Sequence, residues 1–197
     1  FIMKAAKQLP EHPEARFMRG LVYVEQGKYD LARDDFQSAI ALDSSYAKAY
    51  NALGSVYEKT NLLDDALRMF QKAIQLKPDF DQAYYNLGNT VYRQGKTGEA
   101  EQAYLKALEI NPTYSKAINN LGVIYLTNGQ FDLAENAFAK TLKLNPGNHN
   151  AIANLGVIYY QKGDRERARA MFRKALTFNP GDTFATTWLK RLEGEVR

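Results

Sequence analysis

The chain has 197 residues, 26 of them basic and 22 acidic, and its net charge of +4 is spread along its length, which argues against nucleic acid as a partner. With 45% hydrophobic residues, 13 Tyr and 10 Phe it carries too much burial potential for a disordered segment, and no apolar run is long enough for membrane insertion. The absence of Cys removes disulfides, thiolate metal sites and cysteine nucleophiles together, and leaves the compartment open.

The first segment, Phe1 to Leu9, reads as a helix whose partner is missing, so residues 1–12 are taken as the second helix of an incomplete preceding repeat. From Pro13 onward one period of 34 residues governs the chain. Pro78, Pro112, Pro146 and Pro180 keep it, as do Gly20, Gly54, Gly88, Gly122 and Gly156. Ala32, Ala66, Ala100, Ala134 and Ala168 form a third register, and Phe36, Phe70, Tyr104, Phe138 and Phe172 a fourth. The repeats are therefore 13–46, 47–80, 81–114, 115–148 and 149–182.

Within 115–148 the apolar spacing predicts a first helix from about Ser115 to Thr127 and a second from about Phe131 to Leu144. Asn128-Gly129 supplies the turn, because Gly ends a helix in the left-handed conformation at little steric cost. Gly27, Gly95 and Gly163 hold the same place, and Asn61 takes it once. Asn145-Pro146 stops the second helix. The small Gly and Ala registers let the paired helices approach, with the aromatic register filling the space around the contact. Asp182 is placed to cap a last helix over 183–197, running from Thr183 to about Glu195 with Phe184, Trp188, Leu189 and Leu192 on its apolar face. Such a polar-backed helix can close a repeat stack.

Leu121, Gly122, Tyr125, Ala134, Phe138 and Pro146, with their equivalents, resemble the tetratricopeptide repeat (TPR) family. The resemblance implies an all-α, right-handed superhelical solenoid of stacked antiparallel helix hairpins. Departures are few: Val91 stands where Tyr is expected, with Tyr92 next to it, and Thr141 replaces a small Ala. The resemblance also implies that first helices line a concave groove, with positions two, five, six, nine, twelve and thirteen of each repeat facing it.

On those positions lie the candidate partner-binding residues. Asn86, Asn120 and Asn154 form a column at position six, each within Asn-Leu-Gly. The column resembles the asparagine ladder in the repeat array of O-linked N-acetylglucosamine transferases, which implies a grip on the backbone of an extended peptide. A carboxamide offers a donor and an acceptor together. The alternative is that these Asn side chains bridge neighbouring helices. Asn51, Tyr85, Asn89, Asn119 and Tyr92 make the middle of the groove polar and aromatic. Val123, Leu126, Val157 and Tyr160 make its later part apolar, the alternative being that some of them pack between adjacent first helices, and Lys48, Lys116 and Arg93 add positive charge at the rim. The Lys-Asn-Asn-Lys-Arg set of chaperone-tail receptors occurs in no three consecutive repeats.

No catalytic constellation emerges. His12 and His149 read as surface residues without a partner at ligand spacing, so neither metal nor cofactor is expected. The acidic pairs Asp34-Asp35 and Asp64-Asp65 read as a solvated face. The expectation is a non-catalytic scaffold or adaptor holding a protein or peptide ligand in the groove. Two alternatives stand beside it: a substrate-recruiting domain of a larger enzyme such as a glycosyltransferase, and a scaffold that assembles into a homo-oligomer.

Overall fold

A computed structural model describes residues 12–194 and holds eleven helices among them. The predicted segment Phe1 to Leu9 lies outside the described residues. The chain divides into two compact units, 1–110 and 111–197. The first contains α1 (Pro13–Glu25), α2 (Tyr29–Leu42), α3 (Ala47–Lys59), α4 (Leu63–Leu76), α5 (Asp81–Arg93) and α6 (Thr97–Ile110). The second contains α7 (Ser115–Thr127), α8 (Phe131–Leu144), α9 (His149–Gln161), α10 (Arg165–Phe178) and α11 (Thr183–Gly194). Each odd-numbered helix up to α9 pairs with the next, and within a unit the hairpins stack so that α1 touches α3, α3 touches α5 and α7 touches α9.

Side-chain capping contributes little to most of these helices. Lys28, Tyr46, Leu62, Phe80, Tyr114 and Gln130 occupy N-cap positions without a capping side-chain bond. Helices this short are marginal alone, so tertiary packing must hold them. The turns within hairpins are where backbone geometry is most restrictive. Gly129 has φ of 72°, and the next amide, Gln130 N, reaches back to Tyr125 O at 2.8 Å. Asn61 adopts φ of 64° in the same place, with Leu62 N bonded to Tyr57 O at 2.8 Å. This wrap satisfies carbonyls at the helix end that would otherwise be unpaired.

The predicted close seam is present in every repeat. A Cβ built on Gly20, Gly54, Gly88, Gly122 or Gly156 would lie 2.5–2.8 Å from the aromatic ring sixteen residues later. The rings of Phe36, Phe70, Phe138 and Phe172 are fully enclosed. In the third repeat the ring is Tyr104, whose hydroxyl donates to Asn89 Oδ1 at 2.8 Å. That bond gives a buried phenol the partner it needs.

The first repeat departs from the apolar pattern. Asp35 is buried and receives both Nε and Nη2 of Arg19, with Arg16 Nη1 at 3.4 Å. The side-chain bond to Asp35 outweighs burial and raises the Arg19 guanidinium above its ordinary value. The expectation of a solvated acidic pair is thus corrected: Asp34 is exposed, whereas Asp35 is the buried centre of a partly buried ion cluster.

At the other end α11 lies on α10. Trp188 stacks on Phe172 with ring centroids 5.7 Å apart, and Leu192 is fully buried. Phe184, expected on the apolar face, is instead 46% exposed, and Ala185 takes the buried place. Asp182 accepts from the amides of Phe184 and Ala185 at 3.0 and 3.1 Å. Its other oxygen meets His149 Nδ1 at 3.0 Å, so His149 is not the unpartnered surface residue the sequence suggested. Burial pushes the Asp182 carboxyl up, but the Ala185 amide, the His149 ring and the Phe184 amide together hold it below the usual carboxylate range.

Candidate functional site on the first helices

The predicted site residues lie on the first helices, at positions two, five, six, nine and twelve of their repeats. In the first unit these positions surround a pocket of about 310 Å³. Phe17, Leu21, Val24 and Phe36 give it an apolar floor, while Lys48 and Asn51 stand among its polar lining. Lys48 and Asn51 were expected. Phe17, Leu21 and Val24 were not, although they hold positions five, nine and twelve of the first repeat and could have been found by extending the same rule one repeat back.

The asparagine column is not uniform. Asn86 is only 8% exposed, and its Nδ2 donates to Asn51 Oδ1 at 3.0 Å and to Ser55 Oγ at 3.4 Å. This is the bridging behaviour weighed as the alternative, and it differs from a rung offered to solvent. Asn154 is half-buried and makes no side-chain hydrogen bond with any described residue. Asn120 is also half-buried, and its Oδ1 accepts from Asn119 Nδ2 at 3.4 Å. The Asn119 Oδ1 is enclosed and has no partner among the described residues.

The remaining predicted residues divide by exposure. Tyr85 is half-buried and tilts against Tyr104 at 5.9 Å between centroids, while Asn89 is committed to the Tyr104 hydroxyl. Val91 fills the buried slot and leaves Tyr92 exposed. Val157 is buried in the core around Phe172. Val123 and Leu126 pack partly against the cluster around Phe138. Tyr160 is half-buried, meeting Trp188 edge-on at 5.0 Å with the Arg191 guanidinium 5.2 Å over its ring. Lys48 and Lys116 are exposed. Arg93, a further rim cation, is tied to Glu58 O and Asn61 Oδ1, each at 3.0 Å.

Among the described residues no group of three or more His, Asp or Glu is arranged to hold a metal ion. No described helix is long and apolar enough to cross a membrane. What the first-helix face offers is amide donors and acceptors, a lysine and apolar surface, which is the chemistry of binding.

Hairpins of this geometry, repeating every 34 residues around a Gly–aromatic seam, define a tetratricopeptide-repeat protein, a class of protein-interaction scaffold whose fold is typically non-catalytic. Residues 2–195 match the sequence model of the Cilia and flagella-associated protein 70 C-terminal domain, and the chain belongs to that TPR family. Among solved structures it is similar to YrrB, described as a TPR protein with an unusual peptide-binding site, at 27% identity and a TM-score of 0.72, covering 96% of this chain and 97% of that one. MamA is similar at 28% identity and a TM-score of 0.71, over 82% of this chain and 94% of that one. PilF of Pseudomonas aeruginosa shares the fold, with a TM-score of 0.85 at 18% identity over 96% of this chain and 86% of that one. No curated protein sequence matches the chain.

Proposed function

We propose that this scaffold acts without catalysis, by holding an extended peptide segment of a partner protein against the exposed side of its first helices. The observation that carries the reading is the state of that surface. In the first unit it opens into an apolar pocket beside Lys48, which pairs with no described residue. In the second it leaves the Asn154 carboxamide without a described partner on the same helix as Tyr160. An extended chain has a free N–H and C=O at each residue, and a carboxamide can bond one of each whatever the peptide side chains are. The similarity to YrrB, whose description names a peptide-binding site, supports the same reading.

Each such bond contributes about 0.5–1.5 kcal/mol net, so two asparagines set a modest part of the affinity. The test is selection from a random peptide display library on the immobilised chain, followed by titration of the enriched peptides. Asn120→Ala with Asn154→Ala should weaken unrelated enriched peptides by a similar factor, about tenfold, while leaving helicity unchanged. Failure to enrich any peptide, or enriched peptides that bind the double variant as tightly as the wild type, would overturn the proposal.

A further inference from the structure

The hydrogen bonds around Asn86 fix which way the neighbouring Asn51 side chain points. Ser55 Oγ donates its one hydrogen to the Asn51 backbone carbonyl at 3.1 Å. Toward Asn86, 3.4 Å away, the same oxygen can therefore only accept. Asn86 must turn its NH2 group to α3, where it also donates to Asn51 Oδ1 at 3.0 Å. With Oδ1 occupied, the Asn51 NH2 group is left without a partner among the described residues. Yet Asn51 is only 6% exposed, and the surface it retains lines the pocket.

One turn earlier on α3, Lys48 lines the same pocket and pairs with no described residue. Glu14 and Asp43 border a neighbouring depression that Lys48 also touches, but neither forms an ion pair with it. Among the described residues no Asp or Glu lines the pocket itself; its other polar members, Ser55 and Gln82, are neutral. The pocket thus joins an apolar floor to a cation and an oriented amide donor.

We infer that this pocket selects a peptide segment in which an apolar side chain and an acidic side chain are two residues apart. The apolar group occupies the floor at Phe17, Leu21 and Val24, and the carboxylate meets Lys48 and the Asn51 amide. Spacing by two follows from extended backbone, where alternate side chains point the same way. Asn86 acts here as a positioning residue for Asn51 rather than as a contact. The inference rests on the peptide-binding reading above and adds to it the side chains that are read.

The test uses the whole chain and an acetylated, amidated peptide, Gly-Leu-Ser-Asp-Gly, titrated by calorimetry and by the amide side-chain NMR signals. The Asp form should bind about fivefold more tightly than the same peptide with Asn in its place, as a partly exposed charge pair allows. The Asn51 NH2 signals should move in that titration. Lys48→Gln, a change on the exposed surface that should leave melting unaltered, should abolish the discrimination. Asn51→Asp keeps an oxygen for Asn86 and puts a second one toward the pocket, so it should reverse the preference. Replacing Leu by Ser in the peptide should remove binding.

Equal binding of the Asp and Asn peptides would overturn the inference, as would discrimination that survives both substitutions. Stronger binding of a peptide that ends in Leu with a free carboxylate would overturn it in favour of chain-end recognition. If none of these peptides binds while display-selected ones still bind through Asn120 and Asn154, the pocket assignment fails and the general reading stands. If the selected peptides fail as well, both fall.

Discussion

Gly54→Ala puts the packing argument at its sharpest, because two effects of known sign oppose each other. In an ordinary helix interior the change favours the fold by about 1 kcal/mol, since Gly loses more backbone entropy than Ala. Here the new methyl would sit 2.6 Å from Phe70 Cε1, 2.8 Å from Cδ1 and 3.0 Å from Cζ. Ordinary contact begins near 3.4 Å, so a ring with no solvent exposure would have to retreat by most of an ångström. Overpacking of this kind costs about 1–3 kcal/mol, and an enclosed ring belongs at the upper end. The net loss should be about 1–2 kcal/mol, seen as a fall of about 3–6 °C in melting temperature or about 0.5 M in urea midpoint. Gly98→Ala is the control: it lies in α6 with nothing within 4 Å of its new methyl, and should be neutral or stabilising by up to about 1 kcal/mol. A double-mutant cycle with Phe70→Leu should show coupling, Gly54→Ala becoming cheaper once the ring is gone. If Gly54→Ala stabilises as Gly98→Ala does, or the cycle shows no coupling, the close seam does not govern this packing.

Three other perturbations follow from single features. Thr141 is fully buried with its hydroxyl unpartnered among the described residues, so Thr141→Val should raise stability by about 1–2 kcal/mol in urea unfolding. Asp35→Ala leaves Arg16 and Arg19 facing each other without their carboxylate and should cost about 2–3 kcal/mol by the same measurement. Replacing the trio by its second-repeat equivalents, Arg16→Tyr with Arg19→Leu and Asp35→Met, should cost less than the single change. The lowered Asp182 carboxyl stabilises the fold above the ordinary carboxylate value of about 3.9, and that contribution is lost as pH falls through its folded-state value. Acid titration should therefore release α11, reported by red-shifted emission of Trp188, the only tryptophan. Asp182→Ala should lower the free energy of unfolding by about 1 kcal/mol at neutral pH through loss of the cap.

The sequence made the hairpins legible because their determinants lie in registers that tolerate little variation. Gly54 must be small because Phe70 occupies the space, and Asn61 is acceptable because it enters the left-handed region more readily than most residues. The boundaries of α7 and α8 were readable from a turn residue and a proline that leave few alternatives. Side-chain pairing was less legible, because it links residues that share no motif. The bond between His149 and Asp182 spans nearly one full repeat, so neither local sequence announces the other. Asp35 looked like half of an exposed pair because its binding arginine, Arg19, holds a place where later repeats carry Leu53, Leu121 and Leu155. The Phe17, Leu21 and Val24 floor is encoded at positions five, nine and twelve of the first repeat, where Met18 stands at position six and no asparagine marks the face.

The asparagines themselves show why a repeated triplet does not repeat its role. Asn86 and Asn154 occupy the same position in identical Asn-Leu-Gly sequences, so their own helices treat them alike. What differs is the preceding first helix within the unit. Asn86 finds its partners 35 and 31 residues earlier, at Asn51 and Ser55. The corresponding residues before Asn154 are Asn119 and Val123. Val123 has no acceptor where Ser55 offers one, and the Asn119 amide turns to Asn120 instead. Asn154 is therefore left without a partner among the described residues, while Asn86 is drawn into the structure and orients Asn51. A column of identical side chains can thus be divided between support and recognition by the residues one period behind it, and Val123→Ser tests this directly. That substitution should give Asn154 an acceptor, slow exchange of its side-chain NH2 protons and weaken display-selected peptides as Asn154→Ala does. Unchanged exchange and unchanged peptide affinity would show that position nine does not decide the role of the following asparagine.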